Sequence, residues 1–342
     1  MDMNITQHRI LRYVWRKGKT VRKEISKDLG INPSTVTRNL TSLVESGIIK
    51  AFGLVSTSNT VGRKSELIGI NEWWKKIIGI SVERGEITSL LVSLTGNVDK
   101  KKRDFVEVNS KNLVDLIENA AGYFNGEGDV ISIAVPGIVS NGVIKYSMAL
   151  DIKDMDLKSI IEESTGKKAF IVNDANATSA NFSNRANNLV CFLLSIPYNL
   201  SEEVGMGGGI WLGGRIHVGS HDAAGESGGG FKLVENGGSI EDLKSGKFHP
   251  EDFKKFVSQM GKKVALLTQF IDPELVVVSG DVDLLPEVTR IDLLKEIKKF
   301  LLSDIDVVID TGGGESIARG AAMALVNEVM SDIESMKNYF WF

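Results

Sequence analysis

The first 70 residues carry the pattern that most restricts the fold, because three short amphipathic segments precede two strand-like segments. Apolar residues recur at helical spacing over residues 5–15, which predicts a first helix. A second helix is predicted from an apolar stripe whose members lie four residues apart, with Thr20 as its N-cap. That stripe consists of Val21, Ile25 and Leu29. The chain is therefore expected to begin with a small helical head.

The third helix of the head is predicted to follow a short turn at residues 30–32. Asn32 is a favoured N-cap, and Pro33 suits the first helical position because an N–H has no partner there. The residues expected to be buried are Val36, Leu40 and Leu43. The outer face near the start of this helix carries Ser34, Thr35, Thr37, Arg38 and Asn39. In a helix-turn-helix this helix lies in the major groove, where Arg and Asn read base edges, so we expect these side chains to contact DNA.

A wing is predicted after the third helix. Residues 48–55 and 66–70 are strand-like, and residues 56–60 between them are polar. Arg63 and Lys64 follow this polar tip, and we expect them to contact the phosphate backbone or the minor groove. The alternative is a three-helix head that makes only protein contacts.

The charge of the chain is divided unevenly between this head and the remainder. Residues 1–70 hold 12 Lys and Arg against 5 Asp and Glu, a net +7; the whole chain is −4, which leaves −11 for residues 71–342. A basic head on an acidic body favours a polyanion as the partner of the head. The alternative is a solvated basic face without a partner. We therefore divide the chain into a DNA-binding domain, residues 1–70, and a body, residues 71–342.

Composition excludes several classes of protein. The chain has 342 residues and a single cysteine, Cys191, which excludes an internal disulfide framework and a zinc site made of several cysteines. Cys191 lies in an apolar run, so we expect a buried thiol. No stretch approaches the roughly 20 apolar residues of a membrane span, and the first residues lack the layout of a signal peptide. We expect a cytoplasmic protein.

The body alternates apolar strands with helical segments, which is typical of an α/β fold. Strand-like runs include residues 130–135 and 169–172, and a long C-terminal helix is expected from about Ile317. Asn173 and Asp174 follow one of these strands, at the edge where ligands of α/β sheets bind. Their amide and carboxylate can hydrogen-bond hydroxyl groups. They can also simply cap the following helix, and both interpretations stay open.

Six short motifs follow one another along the chain in a specific order. They are Gly62-Arg63-Lys64, Pro136-Gly137-Ile138-Val139, Asn173-Asp174-Ala175-Asn176-Ala177, Gly205-Met206-Gly207-Gly208-Gly209-Ile210, Ala224-Gly225-Glu226 and Gly320-Ala321-Ala322. Together they resemble the ROK family of repressors, open reading frames and kinases, specifically its repressor branch, over nearly the whole chain. The resemblance implies an N-terminal winged helix-turn-helix followed by a two-lobed, actin-like ATPase fold of the sugar kinase and Hsp70 type, with a sugar between the lobes.

The resemblance also implies roles for residues of the cleft. In sugar kinases similar to this chain, the position of Asp174 is the general base for phosphoryl transfer, and the position of Glu226 binds sugar hydroxyls. We therefore expect Asn173, Asp174 and Glu226 to bind a small polyhydroxy effector.

Two departures from the family pattern concern metal and ligand. The family usually has a His three residues after the Glu226 position and then a cysteine-rich zinc loop, but here Gly229 takes the place of that His and residues 235–242 contain no Cys. We therefore expect no metal and no cofactor. The missing His removes a usual sugar ligand, so we expect a changed effector, such as another sugar, a polyol or a sugar derivative. His221 or Ser227 is the candidate for the missing contact.

The first hairpin of the body departs from the family kinases, which carry Asp-x-Gly-Gly-Thr there to admit ATP phosphates. Ser81 stands at the Asp position, and Glu83 and Arg84 replace the paired glycines. Their bulk and the charge of Glu83 oppose a triphosphate, so we expect neither kinase activity nor a catalytic residue. The glycine run at residues 205–209 resembles a second phosphate loop, but a tight hairpin is the preferred interpretation.

The resulting hypothesis is a sugar- or polyol-responsive regulator of transcription, a repressor of carbohydrate-utilisation genes. We expect it to bind a palindromic operator as a homodimer or homotetramer, because paired half-sites match a two-fold symmetric protein. The main alternative is a bifunctional DNA-binding sugar kinase. A second alternative is a zinc-dependent structural regulator.

Overall fold

The computed structural model describes residues 3–55 and 64–340 of the chain. Its helices are α1 (Ile5–Lys17), α2 (Arg22–Leu29), α3 (Pro33–Glu45), α4 (Leu113–Gly122), α5 (Leu157–Thr165), α6 (Asp174–Asn181), α7 (Ile240–Lys244), α8 (Lys254–Ile271), α9 (Glu287–Phe300), α10 (Gly313–Ser331) and α11 (Ile333–Phe340). Its strands are β1 (Lys19–Val21), β2 (Ile49–Val55), β3 (Ser65–Ile70), β4 (Ile77–Glu83), β5 (Glu86–Val92), β6 (Val98–Phe105), β7 (Val130–Val135), β8 (Ile138–Ser140), β9 (Val143–Ser147), β10 (Ile152–Met155), β11 (Lys168–Asn173), β12 (Leu189–Ser195), β13 (Glu203–Leu212), β14 (Arg215–Ile216), β15 (Phe231–Lys232), β16 (Leu275–Gly280) and β17 (Asp306–Ile309).

The N-terminal head is a winged helix-turn-helix, made of α1–α3 and an antiparallel sheet in the order β1-β3-β2. The Asn4 side chain accepts from the Gln7 N–H, while the Gln7 side chain accepts from the Asn4 N–H, so both ends of this pair fix the start of α1. The third helix begins as predicted, because the Asn32 side chain accepts from the Ser34 N–H and Pro33 is the first helical residue. The predicted core residues Val36, Leu40 and Leu43 are buried.

The prediction that Thr20 caps the second helix is wrong. Lys19–Val21 form β1, which pairs with β3, and Val21 is the N-cap of α2. Thr20 is buried, and its hydroxyl donates to Glu24 at 2.6 Å. The capping preference was overridden by a strand pairing with residues far along the chain.

The wing is formed by β2 and β3, which pair antiparallel as predicted. Arg63 and the predicted polar tip lie within residues 56–63, outside the described residues. Lys64 is exposed directly before β3.

The body has two lobes, each built on a sheet. The first contains a sheet in the order β11-β7-β4-β5-β6, in which β11, β7 and β4 are parallel, and a smaller sheet, β10-β9-β8. The second contains the order β14-β13-β12-β16-β17, in which β12, β16 and β17 are parallel. Helix α10 packs on the first sheet, α6 packs on the second, and the two helices pack against each other. Cys191 of β12 is fully buried, as predicted.

The head is joined to the body through one shared apolar core. Ile10 and Leu11 of α1 belong to the same buried cluster as Val329 and Met330 of α10. At its edge, the ring Nε2 of His8 lies 2.9 Å from the Val329 carbonyl oxygen, to which it can donate. Helix α10 begins at Gly313, about one turn before the predicted start near Ile317. In the described ranges, no helix combines the length and apolarity needed to span a bilayer.

The glycine run at residues 205–209 is part of the ten-residue strand β13, so the predicted tight hairpin is wrong. The run pairs along its length with the neighbouring strand β12, and α6 packs against the strand. A Cβ atom on Gly209 would overlap the carbonyl oxygen of Ala175, and one on Gly208 would lie 3.0 Å from that of Gly225. The glycines therefore allow a helix and a loop to approach the strand backbone.

Gly209→Ala is expected to destabilise the protein by about 1–3 kcal/mol, because α6 or β13 must shift to admit the methyl group. The matched control is Gly205→Ala in the same strand, where the nearest atom to a Cβ is 3.5 Å away. Urea unfolding of both variants gives the comparison. Equal free energies of unfolding would contradict the close-approach explanation.

Candidate functional site

The outer face of α3 presents one free cation. Arg38 is exposed, and its guanidinium has no hydrogen-bond or ion-pair partner within residues 3–55 and 64–340. Ser34 and Thr37 are also exposed, but their hydroxyls donate locally, to Asn32 Oδ1 at 2.8 Å and to the Pro33 carbonyl at 3.0 Å. Arg38 is thus the cation of this face that can bind a partner without first breaking a contact among the described residues.

Asn39 is less available than the sequence indicated. Its Nδ2 donates to the carbonyl of Thr35 at 2.8 Å, and its Oδ1 accepts from Asn4 Nδ2 at 3.2 Å. Both Asn39 and Thr35 are only partly exposed. Contact between Asn39 and DNA would require its link to the start of α1 to open or be shared.

Sequence reasoning missed a cationic cluster on the sheet of the head. The ammonium groups of Lys19 and Lys50 lie 4.3 Å and 5.2 Å from the centre of the exposed Phe52 ring. Lys50 and Phe52 lie two residues apart in β2, so their position on one face of the sheet could have been predicted from the two-residue period of a strand. Lys19 could not, because its position depends on the unforeseen strand β1.

In the body, Asn173 and Asp174 stand where β11 ends and α6 begins. Asn173 does cap the helix, since its Oδ1 accepts from the Asn176 N–H at 2.9 Å. Its Nδ2 also donates to the Gly137 carbonyl at 2.9 Å and to Asp174 Oδ1 at 3.0 Å. The capping interpretation and a positioning role for Asn173 are therefore compatible.

Asp174 has one carboxylate oxygen engaged and one open. Oδ1 accepts from the Ala175 N–H at 2.8 Å, whereas no described residue donates to Oδ2. Burial raises the pKa of Asp174 to about 7, and the nearby charge of Glu226 adds to the increase. The side chain keeps part of its surface accessible, so the open oxygen can accept from a ligand hydroxyl.

Glu226 reaches this place from the second lobe. It forms an isolated β-bridge with Gly207 of β13, and desolvation raises the pKa of its carboxyl group. The Ser227 hydroxyl donates to the Met206 carbonyl at 3.1 Å, so it fixes the same loop. The structure brings Asn173, Asp174 and Glu226 together, whereas His221 is exposed and has no contact with them in the described part of the chain.

Lys263 of α8 holds this loop through hydrogen bonds, and the sequence analysis did not identify it as a functional residue. Its ammonium group donates to the carbonyl oxygens of Ser227, Gly228 and Gly229 at 3.2, 2.7 and 2.7 Å. One cation thus organises three consecutive peptide groups next to Glu226. Nothing in the spacing of Lys263 along the chain signals this contact.

The turn between β4 and β5 is crowded with acidic groups. The pKa of Glu83 is raised well above its usual value by burial and by the charges of Asp281 and Glu86. Carboxylate oxygens of Glu83 and Glu86 would each lie 2.9 Å from a Cβ on Gly314, so both reach the first turn of α10. Ser81 in the adjoining strand is fully buried and its hydroxyl has no partner among the described residues. The side chains of Glu83 and Glu86 thus fill the space beside the start of α10, and Arg103 pairs with Glu86 at 2.5 Å.

Asp281 is part of the same acidic region and was missed. Burial raises its pKa to about 6. It follows Gly280 at the carboxyl end of β16, so the rule that selected Asn173 and Asp174 would have selected it as well. Across the described ranges, no set of three or more His, Cys, Asp or Glu side chains is arranged to hold a metal ion.

Asp174→Asn is expected to raise the free energy of unfolding relative to the intact protein. This gain is expected to be about 1–2 kcal/mol larger at pH 8 than at pH 5. A carboxyl group whose pKa is raised on folding contributes stability at low pH that is lost as the pH rises through its folded value of about 7. Urea unfolding at the two pH values measures the difference. Asp304→Asn, at an exposed position, is the control, and an equal response of both variants to pH would refute the assignment.

Comparison with known proteins agrees with this architecture. Residues 78–236 match the model of the ROK family, and residues 3–50 match a winged helix-turn-helix DNA-binding model. A xylose repressor of Bacillus spizizenii is 27% identical over 182 residues, which are 51% of this chain and 47% of the repressor. The chain thus spans about half the length of that relative.

Two solved structures share the fold. A ROK family transcriptional regulator described as a homologue of the E. coli Mlc protein has a TM-score of 0.70 and 18% identity, covering 97% of this chain and 98% of its own. A ROK glucokinase from Streptomyces griseus, in complex with glucose and AMPPNP, has a TM-score of 0.58 and 20% identity, covering 72% and 98%. The chain thus carries a region that matches a winged helix-turn-helix, residues 3–50, ahead of a region that matches the ROK family, residues 78–236.

Proposed function

We propose that the protein is a sugar-responsive transcriptional repressor that works in the cytoplasm and has no kinase activity. The observation that carries the proposal is that one chain combines a winged helix-turn-helix with a sugar-kinase fold. In that fold, the buried side chain of Glu83 occupies the space at the β4–β5 turn. The first part needs DNA as its partner, and the second keeps a cleft for a sugar while opposing a nucleotide.

The head, residues 1–70, binds the operator. Arg38 reads a base edge, and Ser34, Thr35, Thr37 and Asn39 complete the contact of α3 in the major groove. Arg63 and Lys64 contact the phosphate backbone or the minor groove from the wing. Two heads on a homodimer or homotetramer engage the half-sites of a palindrome.

The effector binds in the cleft of the body, residues 71–342. Its hydroxyl groups donate to Asp174 Oδ2 and to Glu226, while Asn173 holds Asp174 in place. Ser227 acts through the loop that it fixes, and His221 reaches the ligand at the rim once the lobes close. Because the relatives include xylose repressors, D-xylose is the first candidate effector.

The effector signal reaches the head through the helices between the lobes. Asp174 is the first residue of α6, which packs on α10, and α10 holds α1 through Val329 and His8. A ligand that binds one arrangement of the lobes more tightly shifts the population of that arrangement. The affinity for the operator then changes by the same coupling free energy that links the two sites.

A bifunctional DNA-binding kinase is the second candidate, because the pKa of Asp174, about 7, suits a general base. The acidic turn between β4 and β5 argues against this kinase activity. A base alone does not transfer a phosphoryl group, since that reaction depends on positioning and charge neutralisation of the nucleotide.

Arg38→Ala is expected to weaken binding to the specific operator by about 1–3 kcal/mol and to relax selectivity at one base position. A fluorescence-anisotropy titration with operator DNA and with a scrambled duplex measures both effects. Arg185→Ala, which removes an exposed arginine of the body, is the control. Equal affinities of Arg38→Ala and the intact protein for the operator would contradict the docking of α3.

D-xylose at 100 times its dissociation constant is expected to stabilise the protein by about 2.7 kcal/mol in a thermal-shift assay. Asn173→Ala and Asp174→Asn are expected to lose most of this shift, because the first removes the amide that holds Asp174 in place and the second removes the carboxylate that accepts from the ligand.

ATP with Mg²⁺ is the matched negative ligand in the same assay. A shift with ATP, or sugar phosphorylation that Asp174→Asn abolishes, would overturn the proposal in favour of the kinase. If xylose gives no shift while other sugars or polyols do, the cleft assignment stands and the identity of the effector changes.

A further inference from the structure

A cavity of about 380 Å³ lies where α1 of the head meets the body, at the far end of α6 from Asp174. Trp15 and Arg16 form its head side. Its body side includes Asn181, Asn184 and Asn187 beyond or at the end of α6, together with Trp211 and Arg319. Its volume falls in the range of small-molecule sites, and it combines aromatic surfaces with several amides.

The cavity contains polar groups that lack partners. Trp211 is almost fully buried, yet its indole N–H has no acceptor among the described residues, although buried indoles usually find one. The side-chain amides of Asn184 and Asn187 also make no hydrogen bond within residues 3–55 and 64–340. A ligand with oxygen atoms can satisfy amides as both donors and acceptors.

The charge of the cavity is positive. Among the described residues, its charged lining groups are Arg16 and Arg319. Arg319 already donates to the Gly96 carbonyl at 2.7 Å and to Asn181 Oδ1 at 3.1 Å. Arg16 has no acidic partner in the described part of the chain. Burial and the nearby charges of Arg16 and Arg215 lower the pKa of Arg12, so these guanidinium groups lie close to one another. An anion at this place would relieve the repulsion among these guanidinium groups.

A neighbouring cavity of about 280 Å³ shares Trp211, Gly214 and Asn327 with the first. It is lined by Glu328 and Asp332 in addition to Arg215. Carboxylates oppose an anion there, so the larger cavity is the one suited to a negatively charged ligand.

We propose that the larger cavity is a second ligand site that binds a small polyhydroxy anion, a sugar phosphate or a sugar acid. The anionic group pairs with Arg16, the hydroxyl groups bond to the amides of Asn184 and Asn187, and the carbon skeleton lies against Trp15. The site is separate from the cleft of the proposed function. Because its ligand touches the head and the body at once, binding favours one placement of the head on the body.

The test is isothermal titration calorimetry of the full-length protein without DNA. The probes are ribose 5-phosphate for the sugar phosphates, gluconate for the sugar acids and inorganic phosphate for the anion alone. Arg16→Gln removes the unpaired cation, and Lys17→Gln makes the same change of charge one residue further along α1, outside the cavity lining. Asp174→Asn removes a carboxylate of the cleft, so it distinguishes binding in the cleft from binding in the cavity.

At least one of the two polyhydroxy anions is expected to bind, with affinity reduced tenfold or more in Arg16→Gln and unchanged in Lys17→Gln and Asp174→Asn. The proposal is overturned if neither binds, if Lys17→Gln weakens binding as much as Arg16→Gln, or if Asp174→Asn abolishes it. Inorganic phosphate binding as tightly as the larger probes would refute recognition of the hydroxyl groups. Each result is independent of whether xylose binds in the cleft, so failure here and failure of the cleft assignment are distinguishable.

Discussion

The contact between α6 and α10 is the constraint on which the rest of the molecule depends. Each helix belongs to a different lobe, and they can approach because Gly320 has no side chain where it meets the carbonyl of Ala177. Gly79 and Gly209 provide the same clearance where the two sheets meet these helices. Backbone against backbone leaves little room for sliding, so a displacement of one helix is passed to the other.

These two helices connect Asp174, the acidic turn, the larger cavity and the head. Helix α6 carries Asp174 at its start and Asn181 at its end, next to the cavity under the head. Helix α10 has the acidic turn at its start and the contact with His8 near its end. The cleft, the acidic turn and the head thus contact the same two helices, and a ligand at any of these places acts on the same pair of elements.

The head was predictable because its signals are local. Asn32, Pro33 and the apolar stripe of α3 fix a helix within a few residues, and the structure agrees. The prediction of a Thr20 cap was wrong because β1 forms only by pairing with β3, which is distant in the sequence. The prediction of a tight hairpin at residues 205–209 was wrong because these glycines are required by the close approach of α6 to β13. In the cleft, Asp174 could be selected from the end of its strand, but the clasp of Lys263 on the loop beside Glu226 is a tertiary contact without a sequence signature.

The acidic turn supports the proposal that a kinase fold serves here as a sensor. A nucleotide site must present positive charge or open backbone to phosphates, whereas Glu83, Glu86 and Asp281 gather carboxyl groups at the start of α10. Desolvation raises the pKa of Glu83, so its neutral form is favoured and the groups can stay together without a bound cation. Under the proposed function, the fold keeps the cleft of an enzyme without its reaction, and the free energy of ligand binding is available to move the head.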